Sequence, residues 1–125
     1  MTLQEQFTQT YKKYITREGS DKLLAYLTDQ SDFFTAPAST RYHGAYEGGL
    51  CEHSLNVYSC LVDILARPRM KDLYGIEYSD ESIAIAALLH DLCKINFYGL
   101  CRRGLPSRCL RQGGGRSDRR IQRVM

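Results

Sequence analysis

His90 and Asp91 stand side by side directly after seven consecutive apolar residues, Ile83 to Leu89. Burying an imidazole and a carboxylate costs on the order of several kcal/mol unless they are paired or bind a cation. Adjacent helix positions diverge by about 100°, but at a helix end both side chains can reach one ion. His53 lies 37 residues earlier. It shares a helical face with Val57, Cys60 and Ile64, so it points toward the core in which His90 also starts. Two histidines and an aspartate on two facing helices make a partial site for a divalent metal. Lys94 follows His90 by one helical turn on the same face, where a cation suits a phosphate oxygen. His43 sits in RYHGAYEGG, and the glycines after it would let the loop turn over the site. Each residue also has a plainer reading. His90 can cap the helix end with Asp91 in water, and His53 can be a hydrogen-bonded core histidine. Lys94 can be a surface cation at a helix C-terminus, and His43 a loop residue without a role.

The elements that must position these residues read as helices. Leu3, Phe7, Tyr11, Tyr14 and Ile15 recur at spacings of three and four, one apolar stripe over residues 3–16. Gly19 ends it, and Ser20 or Asp21 caps a second helix carrying Leu23, Leu24 and Leu27. Residues 29–49, with Pro37 and three glycines, read as a long loop, and loops of about twenty residues in compact domains are functional or disordered. Its aromatics Phe33, Phe34, Tyr42 and Tyr46 argue for order. A helix then runs from Leu50 to about Ala66, with Pro68 closing it and 67–79 as a connection. Ser79 or Asp80 caps the last helix, ESIAIAALLHDLCKI, with acids in its first turn. Its middle is apolar on every side, which predicts burial. No strand alternation, phosphate-binding glycine loop or repeat stands out. The body is predicted to be all-α, four main helices and one ordered loop.

At 125 residues, with 43% hydrophobic and 25% charged residues, the composition is that of one soluble globular domain. No apolar run approaches the roughly 18 residues of a membrane span, and the polar N-terminus is not a secretory signal. The five cysteines (Cys51, Cys60, Cys93, Cys101, Cys109) are odd in number and form no CxxC, so they read as reduced thiols of a cytoplasmic protein. The net charge of +3 is split. Residues 1–97 hold nine Lys+Arg against 13 Asp+Glu, a net of −4, and residues 98–125 hold eight Arg against Asp118 alone, a net of +7. That division predicts a helical domain over 1–98 and an Arg/Gly-rich tail over 99–125 with too little apolar surface to order itself. Such a tail can also grip RNA phosphates non-specifically, although it lacks aromatics for base stacking.

The segments EGGLCEHSLNVY and AALLHDLCK together resemble the HD-domain superfamily of metal-dependent phosphohydrolases. The pattern is similar to the subgroup of phage and bacterial HD hydrolases and the HD modules of 3′–5′ exoribonucleases. FFTAPASTRYHGAYEGGL resembles the loop before the first motif histidine there. The resemblance covers about residues 5–98 and implies an HD-like helical bundle. By position it makes His53, His90 and Asp91 metal ligands and gives Asp91 the further role of positioning or deprotonating the attacking water. Lys94 matches a lysine often found after the pair. His43 matches an upstream loop histidine, a candidate substrate or second-metal contact. The cofactor implied is a divalent ion, Mn, Mg, Fe, Co or Ni, and the substrate a nucleotide or other phosphate ester.

One departure from the pattern matters. The family carries a further aspartate many tens of residues after the HD pair. Here 34 residues follow Asp91, and Asp118 is the one acid among them, in a segment without a helical stripe. The resemblance therefore predicts a bundle incomplete at its C-terminus, from a reading truncated or out of frame after Tyr98, with weak metal binding and slow turnover. The alternatives are a catalytically inactive HD-like module that binds metal or nucleotide, and RNA binding through the basic tail.

Overall fold

The computed structural model describes residues 1–40 and 44–97 in full, and residues 98–100 and 106–108 as backbone. The described body is helical, in the order α1 (Leu3–Tyr14), α2 (Ser20–Asp29), α3 (Gly49–Leu65), α4 (Pro68–Asp72) and α5 (Asp80–Leu88). Helix α1 starts where Thr2 and Glu5 cap each other reciprocally: Glu5 N–H donates to Thr2 Oγ1 at 3.1 Å, and Thr2 N–H to Glu5 Oε2 at 3.0 Å. The expected stripe buries Phe7 and Tyr11. The Tyr11 hydroxyl donates to Ser20 O at 2.7 Å, tying the end of α1 to the start of α2. Phe7 is the hub of the core, with its ring centroid 4.7 Å from that of Phe33 and 5.6 Å from that of Phe34. Leu27, Leu50, Ala84 and Leu88 belong to the same cluster.

The 29–49 loop is ordered as far as it is described, and much of it is core. Phe33, Ala36 and Ala38 are buried. Its carbonyls also start α3: Gly48 N–H donates to Thr35 O at 3.0 Å and Leu50 N–H to Ala36 O at 2.9 Å. These bonds satisfy donors that a helix N-terminus leaves without intrahelical partners.

Several expectations are corrected. The last helix does not run to Ile95. It stops at Leu88, followed by a 3₁₀ turn over Leu92–Lys94. The cause is local: His90 Nδ1 takes Ala87 O at 2.7 Å, the carbonyl that Asp91 N–H would take in a continuing α-helix. Nor is α5 buried on every side, because Ala86 is exposed while Ala84, Ala87 and Leu88 are buried. Pro68 does not simply close α3. It opens the short α4 at a position where its missing N–H costs nothing. The face shared by His53, Val57, Cys60 and Ile64 turns outward along its length: Val57 is half-buried, and Cys60 and Ile64 are exposed. The buried residues of α3 are Gly49, Leu50, Cys51 and Ser54, all in its first two turns. Outside the helical body, Tyr98–Leu100 and Pro106–Arg108 pair as an antiparallel two-stranded ribbon, β1 and β2, which no sequence alternation announced. The expectation of an unordered tail otherwise concerns residues that lie outside the described ones. Among the described residues no helix is long and apolar enough to cross a membrane.

Ser54 is fully buried, and its hydroxyl has no hydrogen-bond partner among the described residues. Leaving a hydroxyl unsatisfied costs about 1–3 kcal/mol, and an alanine methyl fits the same space. Ser54→Ala is therefore expected to leave stability unchanged or raise it by about 1 kcal/mol. Urea unfolding followed by circular dichroism reads this. A loss of more than about 1 kcal/mol would mean that the hydroxyl has a partner.

Candidate metal centre

His53 lies on the second turn of α3, just past the loop-capped N-terminus, and His90 and Asp91 lie in the turn that ends α5. Packing of α3 against α5 brings the three together. His53 Nε2 is 3.2 Å from His90 Nε2 and 3.4 Å from Asp91 Oδ2, and His90 Nε2 is 3.2 Å from the same oxygen. The imidazole rings are tilted by 59° with centroids 5.1 Å apart.

The tautomer of His90 follows from its other nitrogen. Ala87 O can only accept, so Nδ1 carries the proton, and Nε2 of the neutral ring presents a lone pair to the cluster. Such a bond from the far nitrogen is how proteins orient a metal-binding histidine. The three donor atoms form a nearly equilateral triangle. A point equidistant from its corners lies about 1.9 Å from each, against bonds of about 2.0–2.2 Å for imidazole and carboxylate ligands. The spacing of the donor set is therefore compatible with a shared divalent cation. All three side chains keep partial solvent access, with 23%, 30% and 17% of their surfaces exposed for His53, His90 and Asp91. Among the described residues, these three are the one grouping of His, Cys, Asp or Glu close enough to share an ion.

Lys94 is close to the cluster but not where helical periodicity put it. With α5 ended, it sits in the 3₁₀ turn and faces Asp91, its ammonium donating to Oδ2 at 3.2 Å. Three distances thus converge on Asp91 Oδ2, while Asp91 Oδ1 takes part in none of these contacts. His43 lies outside the described residues. Beside His53, the Tyr46 hydroxyl donates to the Glu52 carboxylate, and that bond raises the phenol pKa. Cys51, two residues before His53, is buried, and desolvation pushes its thiol up to about 12, so it is held as an inert thiol. A cleft of about 300 Å³ lies further along α3, lined by Tyr14, Tyr58, Val62 and Ile83 among others, and none of the three ligand candidates lines it.

Two residues whose side chains tie the loop to the segment after Asp91 were missed in the sequence, Asp32 and Asn96. Each backbone N–H donates to the other's side-chain Oδ1, at 3.2 Å for Asp32 N–H and 2.5 Å for Asn96 N–H. The available signal was weak: asparagine is among the few residues that tolerate a left-handed backbone, and Asn96 has φ 56°.

A curated dihydroneopterin 2′,3′-cyclic phosphate phosphodiesterase of Methanocaldococcus jannaschii is 40% identical to this chain over 62 residues. The match covers 47% of this chain and 23% of that enzyme, so the chain spans under a quarter of the relative's length. No family model matches the chain, and no solved structure matches it.

Proposed function

We propose that the chain is a metal-dependent phosphohydrolase of the HD superfamily, with an HD-like helical bundle over 1–98, acting on a nucleotide or other phosphate ester. The observation that carries this reading is the donor triangle of His53, His90 and Asp91. The partial similarity to a phosphodiesterase supports phosphate-ester hydrolysis in general. His53 and His90 would hold a divalent ion through Nε2 and Asp91 through Oδ2. Such an ion supplies Lewis acidity at a phosphoryl oxygen and a lowered pKa for bound water. Asp91 Oδ1 then serves to orient the attacking water or accept its proton. Lys94 fixes the Asp91 rotamer and offers its ammonium to a phosphate oxygen. His43 is proposed as a substrate contact on sequence grounds alone. Three protein ligands leave coordination positions to water and substrate. The cysteine pattern favours a cytoplasmic setting.

The test is elemental analysis of the purified chain, followed by a panel of phosphate mono-, di- and 2′,3′-cyclic esters with added Mn(II). Expected are about one transition-metal ion per chain after Mn(II) loading and slow Mn-dependent release of phosphate or opening of a cyclic ester. A chain that takes up no metal and hydrolyses none of the panel would overturn the reading.

A further inference from the structure

The ligand candidates lie on two segments that are far apart in sequence, and each segment is locally irregular. His90, Asp91 and Lys94 follow the end of α5, where the α-helix gives way to a turn and the short 3₁₀ segment Leu92–Lys94. His53 depends on the start of α3, whose N-terminal N–H groups are held by Thr35 O and Ala36 O of the loop. The two segments meet at the Asp32–Asn96 clasp. On one side, Asp32 O accepts from the N–H groups of Thr35 and Ala36, at 2.9 and 2.6 Å. The next links in this chain of hydrogen bonds are the Thr35 and Ala36 carbonyls that seat α3. On the other side, Asn96 is two residues beyond Lys94 and five beyond Asp91. Its left-handed backbone, φ 56°, is one that asparagine tolerates and that neighbouring contacts can hold in place. A reciprocal pair of hydrogen bonds to a residue 64 positions away does so.

We infer that Asp32 and Asn96 are positioning residues for the metal centre, a clasp that sets the spacing between His53 and the His90–Asp91 pair. The inference rests on the metal reading above. Neither residue belongs to the donor triangle. The clasp acts by closing a ring of hydrogen bonds and chain through both ligand-bearing segments, so opening it lets the donor triangle spread. Ligand sets tolerate little spread, because metal–donor bonds are useful only within a few tenths of an ångström.

The experiment is Mn(II) titration calorimetry on the full chain and its Asp32→Ala, Asp32→Asn, Asn96→Ala and Asn96→Gly variants, at a temperature where circular dichroism shows each folded. Asp32→Ala and Asn96→Ala are expected to weaken binding about tenfold, the lower end of the effect of losing a group that supports a ligand. Each single alanine variant removes one of the two hydrogen bonds, and the double variant removes both, so it should bind no more tightly than either single one. Asp32→Asn keeps the Oδ1 acceptor and should bind like wild type. Asn96→Gly keeps the turn but loses the amide, and should bind like Asn96→Ala, which separates the hydrogen bond from the backbone conformation. Clasp variants that bind Mn(II) within twofold of a binding wild-type chain overturn this inference alone, as does an Asp32→Asn variant as weak as Asp32→Ala. A wild-type chain that takes up no Mn(II) overturns the metal reading and the clasp's role with it.

Discussion

Asp91→Ala is expected to abolish measurable Mn(II) binding, with a loss of at least 100-fold in affinity, while leaving the helical fold in place. Asp91 is the anion of the triangle, and its Oδ2 is the atom on which His53, His90 and Lys94 converge at 3.2–3.4 Å. Removing it does more than delete a ligand. It leaves the Lys94 ammonium next to the cation site without its counter-charge, so the local field turns from attractive to repulsive. Losing a supporting group alone costs about 10–100-fold in metal affinity, and the loss of a ligand together with a reversal of field should exceed that. Stability is less affected. The Asp91–Lys94 pair keeps partial solvent access, with 17% and 16% of the side chains exposed, and in the metal-free protein such an i, i+3 pair is worth about 1 kcal/mol or less. Calorimetry with Mn(II) and a thermal melt of the same samples separate the two effects. Asp91→Asn provides the control for shape: it preserves volume and one carbonyl oxygen but not the charge, and should fall close to Asp91→Ala. Binding by Asp91→Ala equal to wild type would remove Asp91 from the site, and a collapse of the fold would mean that the carboxylate is structural first.

The sequence carried the ligand candidates further than it carried the backbone that presents them. The stripe of α1 and the Ser79 cap of α5 were legible because they depend on neighbours within one turn: Phe7 and Tyr11 are buried as spaced, and Ser79 Oγ accepts from Ser82 N–H at 3.1 Å. The end of α5 was not legible. Residues 83–95 have no proline or glycine to stop a helix, and what stops it is a side chain, His90 Nδ1, competing for Ala87 O. That competition moved Lys94 from the face of His90 to that of Asp91. Periodicity on α3 likewise identified an apolar face but not what covers it. Leu50, Cys51 and Ser54 are buried because the loop and α5 lie over them, whereas Cys60 and Ile64 have the same periodicity and stay exposed. The clasp was unreadable for a different reason: Asp32 and Asn96 are 64 residues apart, and neither has a neighbour in sequence that marks the pair.

Gly49→Ala is expected to be among the most damaging single-methyl additions, lowering stability by about 3 kcal/mol, the upper range for overpacking, and weakening Mn(II) binding with it. Gly49 is the first residue of α3. A Cβ there would lie 2.0 Å from Gly44 O and 2.6 Å from Gly44 C, inside any tolerable contact and against backbone that no rotamer change can move. Gly44 cannot easily retreat: its carbonyl accepts from Ala38 N–H at 2.8 Å, and its own φ of +64° is one that glycine alone adopts without cost. Relief must therefore break the Ala38–Gly44 bond or shift the start of α3, and His53 is one turn along that helix. Two other glycines separate this from backbone strain in general. Gly48 and Gly19 both have positive φ, 81° and 89°, but a Cβ at Gly48 meets nothing nearer than Phe34 O at 3.8 Å, and at Gly19 nothing within 4 Å. Alanine at either pays only the left-handed penalty of about 1–2 kcal/mol. Gly19→Ala, at the start of α2 and away from the triangle, should leave Mn(II) affinity unchanged. The order of melting temperatures should be wild type, then Gly19→Ala and Gly48→Ala, then Gly49→Ala. Each kcal/mol corresponds to a shift of about 4–8 °C for a domain of this size. A Gly49→Ala chain as stable as Gly19→Ala, with wild-type metal affinity, would show that the loop yields to the methyl without carrying α3, and that the close approach of Gly44 to Gly49 does not set the position of His53.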